Sequence, residues 1–193
     1  MNKNEVLDDL SSLIYNKKYK VWEPFMRKYD CQVICEVGVR EGHNFEEMIR
    51  HNPKVALAVD LWKDDGVVAR NDIACTQAQL DKQYNDFMDK FLGKPFVQVY
   101  RGYSYEAVKL FLNDYFDLVY IDADHTFEGC YRDIVDWYPK VKKGGFLLGD
   151  DYRRHKTRTG VRFGVIEAVN KFAHDNNLSF FVFPRSKWGL VKV

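Results

Sequence analysis

Apolar runs that end on a polar residue, each followed by a helix-like pattern, set the tightest limit on how this chain can fold. QVICEVG ends on Glu36 and Gly38 and leads into HNFEEMIRH; KVALAVDLW carries Asp60; PFVQVYRG stops at Gly102; YFDLVYIDAD reaches Asp122; GGFLLGDD reaches Asp150. Such repeated switching between strand and helix patterns predicts a mostly parallel α/β sheet with helices on both faces. LSFFVFP and KWGLVKV close the sequence with no helix between them, which predicts an antiparallel pair. The expected architecture is therefore Rossmann-like: a doubly wound, seven-stranded sheet, mostly parallel, with an antiparallel C-terminal pair. Sheets of this kind bind ligands at the carboxyl ends of their strands. Glu36, Asp60, Gly102, Asp122 and Asp150 all fall on that edge.

The helices are read from spacing. Val6, Leu10, Leu13 and Ile14 recur at helical intervals, residues 72–92 form a long helical stretch, and SYEAVKLFL has Ser104 where an N-cap is expected. At 193 residues the chain is long enough for one ordinary domain. We expect a core over residues 30–193 and an N-terminal helical extension over residues 1–29. The formal net charge of +1 gives no reason to expect nucleic acid as a partner. The four cysteines form no CxxC pair, so a reduced, cytoplasmic protein is expected. MNKNEVLDDL is too polar for a signal peptide, and no apolar run reaches membrane-spanning length.

The first strand–helix turn reads Gly38-Val39-Arg40-Glu41-Gly42. Gly38 permits a sharp bend, and Gly42 lets the helix pack closely or a ligand approach it. A dinucleotide site would carry GxGxxG, whose middle glycine admits a pyrophosphate. That glycine is missing here, and Glu41 would repel phosphate. A nucleoside without phosphates suits the turn better; a purely structural turn is the alternative. Asp60 can accept both hydroxyls of a ribose, or it can be a solvated strand-end acid or a helix cap.

ICEVGVREGHNFEEMI, LAVDLW, FDLVYIDADHTFEGCYRDIVDWYPKVKKGGFLLGDDY and GVIEAVNKFA together resemble class I S-adenosylmethionine-dependent methyltransferases. The likeness is strongest to the small-molecule and sugar O-methyltransferase branch with the macrocin-type enzymes, the Methyltransferase 24-like family, and it covers roughly residues 30–193. The resemblance implies S-adenosyl-L-methionine as cofactor. Glu36 and Gly38 would line its methionine end, with Gly42 in the same turn. Asp60, Leu61 and Trp62 would meet the ribose or form a wall beside it. Gly102, Tyr103 and Ser104 would sit against the adenine, and Asp122 would close the site. The family often places an acid in that adenine turn, where this chain has Tyr103. Trp62 is a second candidate for the adenine wall, with ordinary packing as its alternative.

By the same resemblance the fourth and fifth strands are expected to be neighbours, which would gather Asp122, Asp124, Asp150 and Asp151 at one edge. Carboxylates so close repel one another, and a divalent cation would offset the charge, with Mg²⁺, Mn²⁺ or Ca²⁺ suiting oxygen ligands. By the resemblance, Asp122, Asp150 and Asp151 would hold Mg²⁺. Asp124 and His125 are the candidate general bases for an acceptor hydroxyl. The basic stretch at residues 152–162 borders this cluster and could face an anionic acceptor, or be a solvated loop. The N-terminal helix and the loop at residues 63–72 are candidate lids. The acceptor would be a small molecule or a sugar. A homodimer through the N-terminal helix is open; an exposed apolar stripe there would favour pairing, and a buried one would only finish the core. Two other readings stand beside this one: a nicotinamide-dependent Rossmann oxidoreductase, and a non-catalytic cofactor-binding or partner subunit.

Overall fold

The computed structural model describes residues 3–14, 22–65, 75–157 and 160–193. Helices α1 (Lys3–Ile14) and α2 (Trp22–Lys28) precede strand β1 (Val33–Val37), after which strands and helices alternate. These are α3 (His43–Met48), β2 (Val55–Asp60), α4 (Gln77–Phe91), β3 (Val97–Arg101), α5 (Ser104–Ala107), β4 (Phe116–Ile121), α6 (Phe127–Trp137), β5 (Val141–Gly149) and α7 (Val165–Asp175). The chain then runs through β6 (Phe181–Phe183) and β7 (Lys187–Val191). The seven strands lie in the order β3-β2-β1-β4-β5-β7-β6. Strands β1 to β5 pair in parallel, and β7 runs antiparallel to both β5 and β6.

Period-2 alternation along the buried strands divides the core into two layers. Ile34, Ala56, Ala58, Leu118, Tyr120 and Leu148 face α1 to α4. Their strand neighbours Cys35, Leu57, Val59, Val119 and Leu147 face α5 to α7. Both faces are covered, so the parallel strands read as nearly continuous apolar runs. In α1 the stripe residues Val6 and Leu10 are fully buried in the first layer, which completes the core there.

Several local readings shift. Ser104 is not an N-cap: Tyr103 holds that position without a side-chain bond, and Ser104 opens α5. The stretch SYEAVKLFL makes only four α-helical residues before a 3₁₀ turn at Val108–Leu110. The Gly144-Gly145 pair lies inside β5 rather than before it, at an irregularity in the β4–β5 register; Gly144 is in the left-handed region with φ of 77°. Helix α4 begins after Thr76, whose hydroxyl accepts from the Gln79 amide in a capping box. Residues 72–74 of that expected helix, and most of the candidate lid loop, lie outside the described residues.

Candidate active site

One cavity of about 690 Å³ runs along the carboxyl ends of β1 to β5. At its centre the chain turns out of β1 through Gly38, at φ of 91°. A Cβ at Gly38 would collide with the carbonyl of Asp122 and the amide of Ala123, so only glycine lets the β1 and β4 turns touch. The contact is sealed by the Asp122 amide donating to the Val37 carbonyl at 2.7 Å.

Glu36 points from the end of β1 into the cavity. Its Oε1 accepts from Asn44 Nδ2 at 2.9 Å, and Asn44 in turn accepts from the Trp22 indole at 2.7 Å. The α2 helix thereby positions a residue of the site. Glu36 is only 1% exposed, and its Oε2 is buried with no partner among the described residues. Burial pushes its pKa well above the ordinary carboxylate range, with Asn44 opposing the shift and Asp122 adding to it.

Asp60 ends β2 with its carboxylate already well served. Oδ2 accepts from the amides of Val39 and Arg40, both at 2.8 Å, and Oδ1 accepts from the Trp62 amide at 3.0 Å. The acid thus shapes the β1–α3 turn as well as facing the cavity. Leu61 lies beside it on the wall. Trp62, at φ of 39°, is 1% exposed and packs its ring on Tyr84 and Phe87. It also lines the cavity, so packing and a place on the wall coincide in this side chain. Gly42 is not among the lining residues; a Cβ there would strike the Phe87 ring, so its role is to admit α4.

Gly102, Tyr103 and Ser104 line the cavity at the β3–α5 corner. Tyr103 stacks on Tyr105, with ring centroids 5.0 Å apart, and its hydroxyl reaches Asp65 at 3.4 Å. The Ser104 hydroxyl turns instead to Asp133 on α6. Asp133 did not figure in the sequence reading. The signal was present: Cys130, Asp133, Ile134 and Trp137 form one buried helical stripe, and an acid on such a stripe is out of place.

At the other end the acids divide into two groups. Asp150 Oδ2 accepts from Lys187 Nζ at 2.5 Å and from the Tyr120 hydroxyl at 3.1 Å. Lys187, at the start of β7, also escaped the sequence reading. Strand pairing across the chain brings it here, and nothing local to KWGLVKV marks it. Asp122 and Asp151 meet at His125 instead: Nε2 lies 3.1 Å from Asp122 Oδ1 and 3.4 Å from Asp151 Oδ2. Burial works against charge on His125, yet the carboxylates of Asp122, Asp151 and Asp150 outweigh it and raise its pKa. Burial raises Asp122 too, against the His125 hydrogen bond. Thr126 caps α6, its hydroxyl accepting from the Gly129 amide, and Asp124 just before it accepts from the Thr126 amide at 2.9 Å.

The expected Mg²⁺ set of Asp122, Asp150 and Asp151 is therefore not brought together as one set of open oxygens, because the Lys187 ammonium holds Asp150. The atoms that do converge, within 4.8 Å of one another, come from Asp122, His125 and Asp151. Two carboxylates and an imidazole suit a softer ion than Mg²⁺, which favours an oxygen shell. This donor set does not fit Mg²⁺.

Residues 35–152 match the family model of a methyltransferase domain. The chain belongs to that methyltransferase family. An uncharacterized protein of Acanthamoeba polyphaga mimivirus, R132, is 34% identical over 144 residues, which cover 72% of this chain and 58% of that protein. The chain thus spans less than two thirds of that relative's length. Among solved structures, the O-methyltransferase from Bacillus cereus in complex with SAH has a TM-score of 0.61 at 13% identity, covering 100% of this chain and 93% of that one. The O-methyltransferase TomG from Streptomyces achromogenes, involved in tomaymycin synthesis and solved with SAM, has a TM-score of 0.61 at 12% identity, covering 100% and 92%. At those identities the likeness speaks for a shared Rossmann-like fold.

Proposed function

We propose that this methyltransferase transfers the methyl group of S-adenosylmethionine to a hydroxyl of a small molecule or sugar. The observation that carries the reading is Glu36 Oε2, a buried carboxylate oxygen without a partner, facing the cavity. An unpaired buried acid is costly. A ligand ammonium would offset it, and S-adenosylmethionine brings an ammonium beside its sulfonium. Asp60 retains lone pairs for a ribose while its amide bonds hold the turn in shape. The O-methyltransferase names of the Bacillus and Streptomyces structures agree with a hydroxyl acceptor.

The acceptor oxygen attacks the methyl carbon, the carbon–sulfur bond breaks, and the cofactor leaves as a thioether. The protein's part is to align these atoms and to take the proton. We assign that to His125 rather than to Asp124, one of whose oxygens already accepts from the Thr126 amide. The imidazole would take the hydroxyl proton, and Asp122 and Asp151, which face its Nε2, would stabilise the imidazolium. No step passes through Mg²⁺.

Calorimetric titration of S-adenosylmethionine and S-adenosylhomocysteine tests the reading. Binding by the wild type, weakened about tenfold or more by Glu36→Gln and by Asp60→Ala, is expected. Absence of binding up to roughly millimolar ligand, about −4 kcal/mol, would sink it. With an acceptor in hand, His125→Asn should lower kcat by about 10²-fold or more, and added Mg²⁺ should leave the wild-type rate unchanged.

A further inference from the structure

Asp133 is the most deeply buried acid that the proposed reaction leaves without a task. It sits in the second turn of α6, 3% exposed, on the cavity wall opposite the β3–α5 corner. Among the described residues its carboxylate accepts one hydrogen bond, to Oδ1 from the Ser104 hydroxyl. A carboxylate can accept about four. Burial pushes its pKa up to about 7, with Ser104 opposing the rise and Asp124 and Asp136 adding to it. One neutral donor is poor compensation for a buried carboxylate, so the geometry leaves room for a second.

At the corner beside it, where an acid would be looked for, the chain has Tyr103, which lines the cavity stacked on Tyr105 with its hydroxyl on Asp65. Arg132, next to Asp133 in sequence, has its guanidinium 5.2 Å from the Tyr105 ring centroid. The Ser104–Asp133 pair lines the cavity between α5 and α6, alongside Tyr103, Tyr105 and Arg132.

We propose that Asp133, oriented by Ser104, selects a 6-aminopurine base by accepting a hydrogen bond from its exocyclic amino group. The specificity acid of the site then comes from α6 rather than from the β3–α5 corner. The proposal rests on the cofactor reading above and assigns one residue to the base end of that ligand. A hypoxanthine base offers a carbonyl at the same place and would set two acceptors against each other. Replacing Asp133 by Asn turns one acceptor into a donor and should suit the carbonyl better.

The experiment compares S-adenosylhomocysteine with S-inosylhomocysteine by calorimetry, using the full chain as wild type, Asp133→Asn and Ser104→Ala, each checked by thermal melting. The wild type is expected to prefer the amino compound by at least about tenfold, the size of one charge-assisted hydrogen bond. Asp133→Asn should bring that ratio to about one or reverse it. Ser104→Ala, which frees the carboxylate without removing it, should reduce the ratio about threefold, and it carries the test alone should Asp133→Asn fail to fold. A purely structural strut between α5 and α6 would weaken both ligands equally. An unchanged ratio in the variants therefore overturns the proposal while leaving the cofactor reading intact, whereas a wild type that binds neither compound overturns both.

Discussion

The two ends of the cavity hold negative charge by different means. At the β1–β2 end, Asp60 is met by backbone amides, whose positions are fixed by the fold and whose protonation never changes. At the β4–β5 end, Asp122, Asp150 and Asp151 are met by side chains, chiefly His125 and Lys187. The first arrangement is preorganised: fixed amides hold Asp60 in place, although burial raises its pKa as it does that of Glu36. The second is built from groups that titrate or swing on rotatable bonds, so it can answer to an acceptor and to a proton. That division matches the proposed chemistry, in which the cofactor end only binds and the acceptor end must move a proton.

The comparison is broken most severely where the two ends touch. Gly38→Ala would drive a methyl group into the Asp122 carbonyl at a φ that alanine rarely adopts. We expect a loss of at least about 3 kcal/mol, read as a fall in melting temperature of roughly 10 °C, together with loss of S-adenosylhomocysteine binding. A stable variant that still binds would mean that the two turns are not locked together.

Lys187→Met should cost less and act at one end alone. It removes the ammonium from Asp150 and Tyr120 in a spot where the Lys187 and Asp150 side chains are 14% and 25% exposed. Partial solvation trims the penalty of an unpaired buried charge to about 2 kcal/mol. The melting temperature should drop accordingly, and Lys187→Arg, which keeps the charge, should recover part of the loss. No recovery would show that packing, not charge, is what Lys187 contributes.

The smallest effect sharpens the contrast. The raised pKa values of Asp122, Asp133 and Glu36 mean that the folded protein binds those protons more tightly than the unfolded chain. Stability from these acids is therefore lost as pH rises from about 4, the unfolded carboxylate value, through their folded values. His125 acts in the same direction: its contribution is full below about 6.5 and disappears as pH passes its raised folded pKa. The melting temperature of the ligand-free protein should accordingly fall from about pH 5 to about pH 8, and His125→Asn should flatten the slope by about 1 kcal/mol. Asp60→Asn should leave the slope of the acceptor end in place. Equal flattening by both would erase the difference between the two ends.

The elements that were legible in the sequence are those whose signal is local. Each buried strand announces itself by an apolar run and each edge residue by breaking it, so Glu36, Asp60 and Asp122 could be placed before any coordinates. Trp62 was ambiguous because a large ring after a strand fits a ligand wall and a core equally well, and in the structure it packs on Tyr84 and Phe87 while also lining the cavity. Asp150 was read from its neighbours in sequence, and its true partner lies 37 residues away on β7. The same distance problem hid Ser104: nothing in SYEAVKLFL tells the hydroxyl to ignore its own helix and seek Asp133, 29 residues on.

The placement of β7 has a consequence in time. This strand inserts between β5 and β6, and it brings Lys187 to Asp150 while its Trp188 indole donates to the Asp150 carbonyl at 3.1 Å. A nascent chain on the ribosome can assemble β1 to β5 before that segment has emerged. Until it arrives, β5 is an open edge and Asp150 lacks its ammonium. Zipping the hairpin home both closes the sheet edge and brings an ammonium to Asp150, so the half-made protein is at once the species most prone to aggregate and one in which the proposed acceptor end is unfinished.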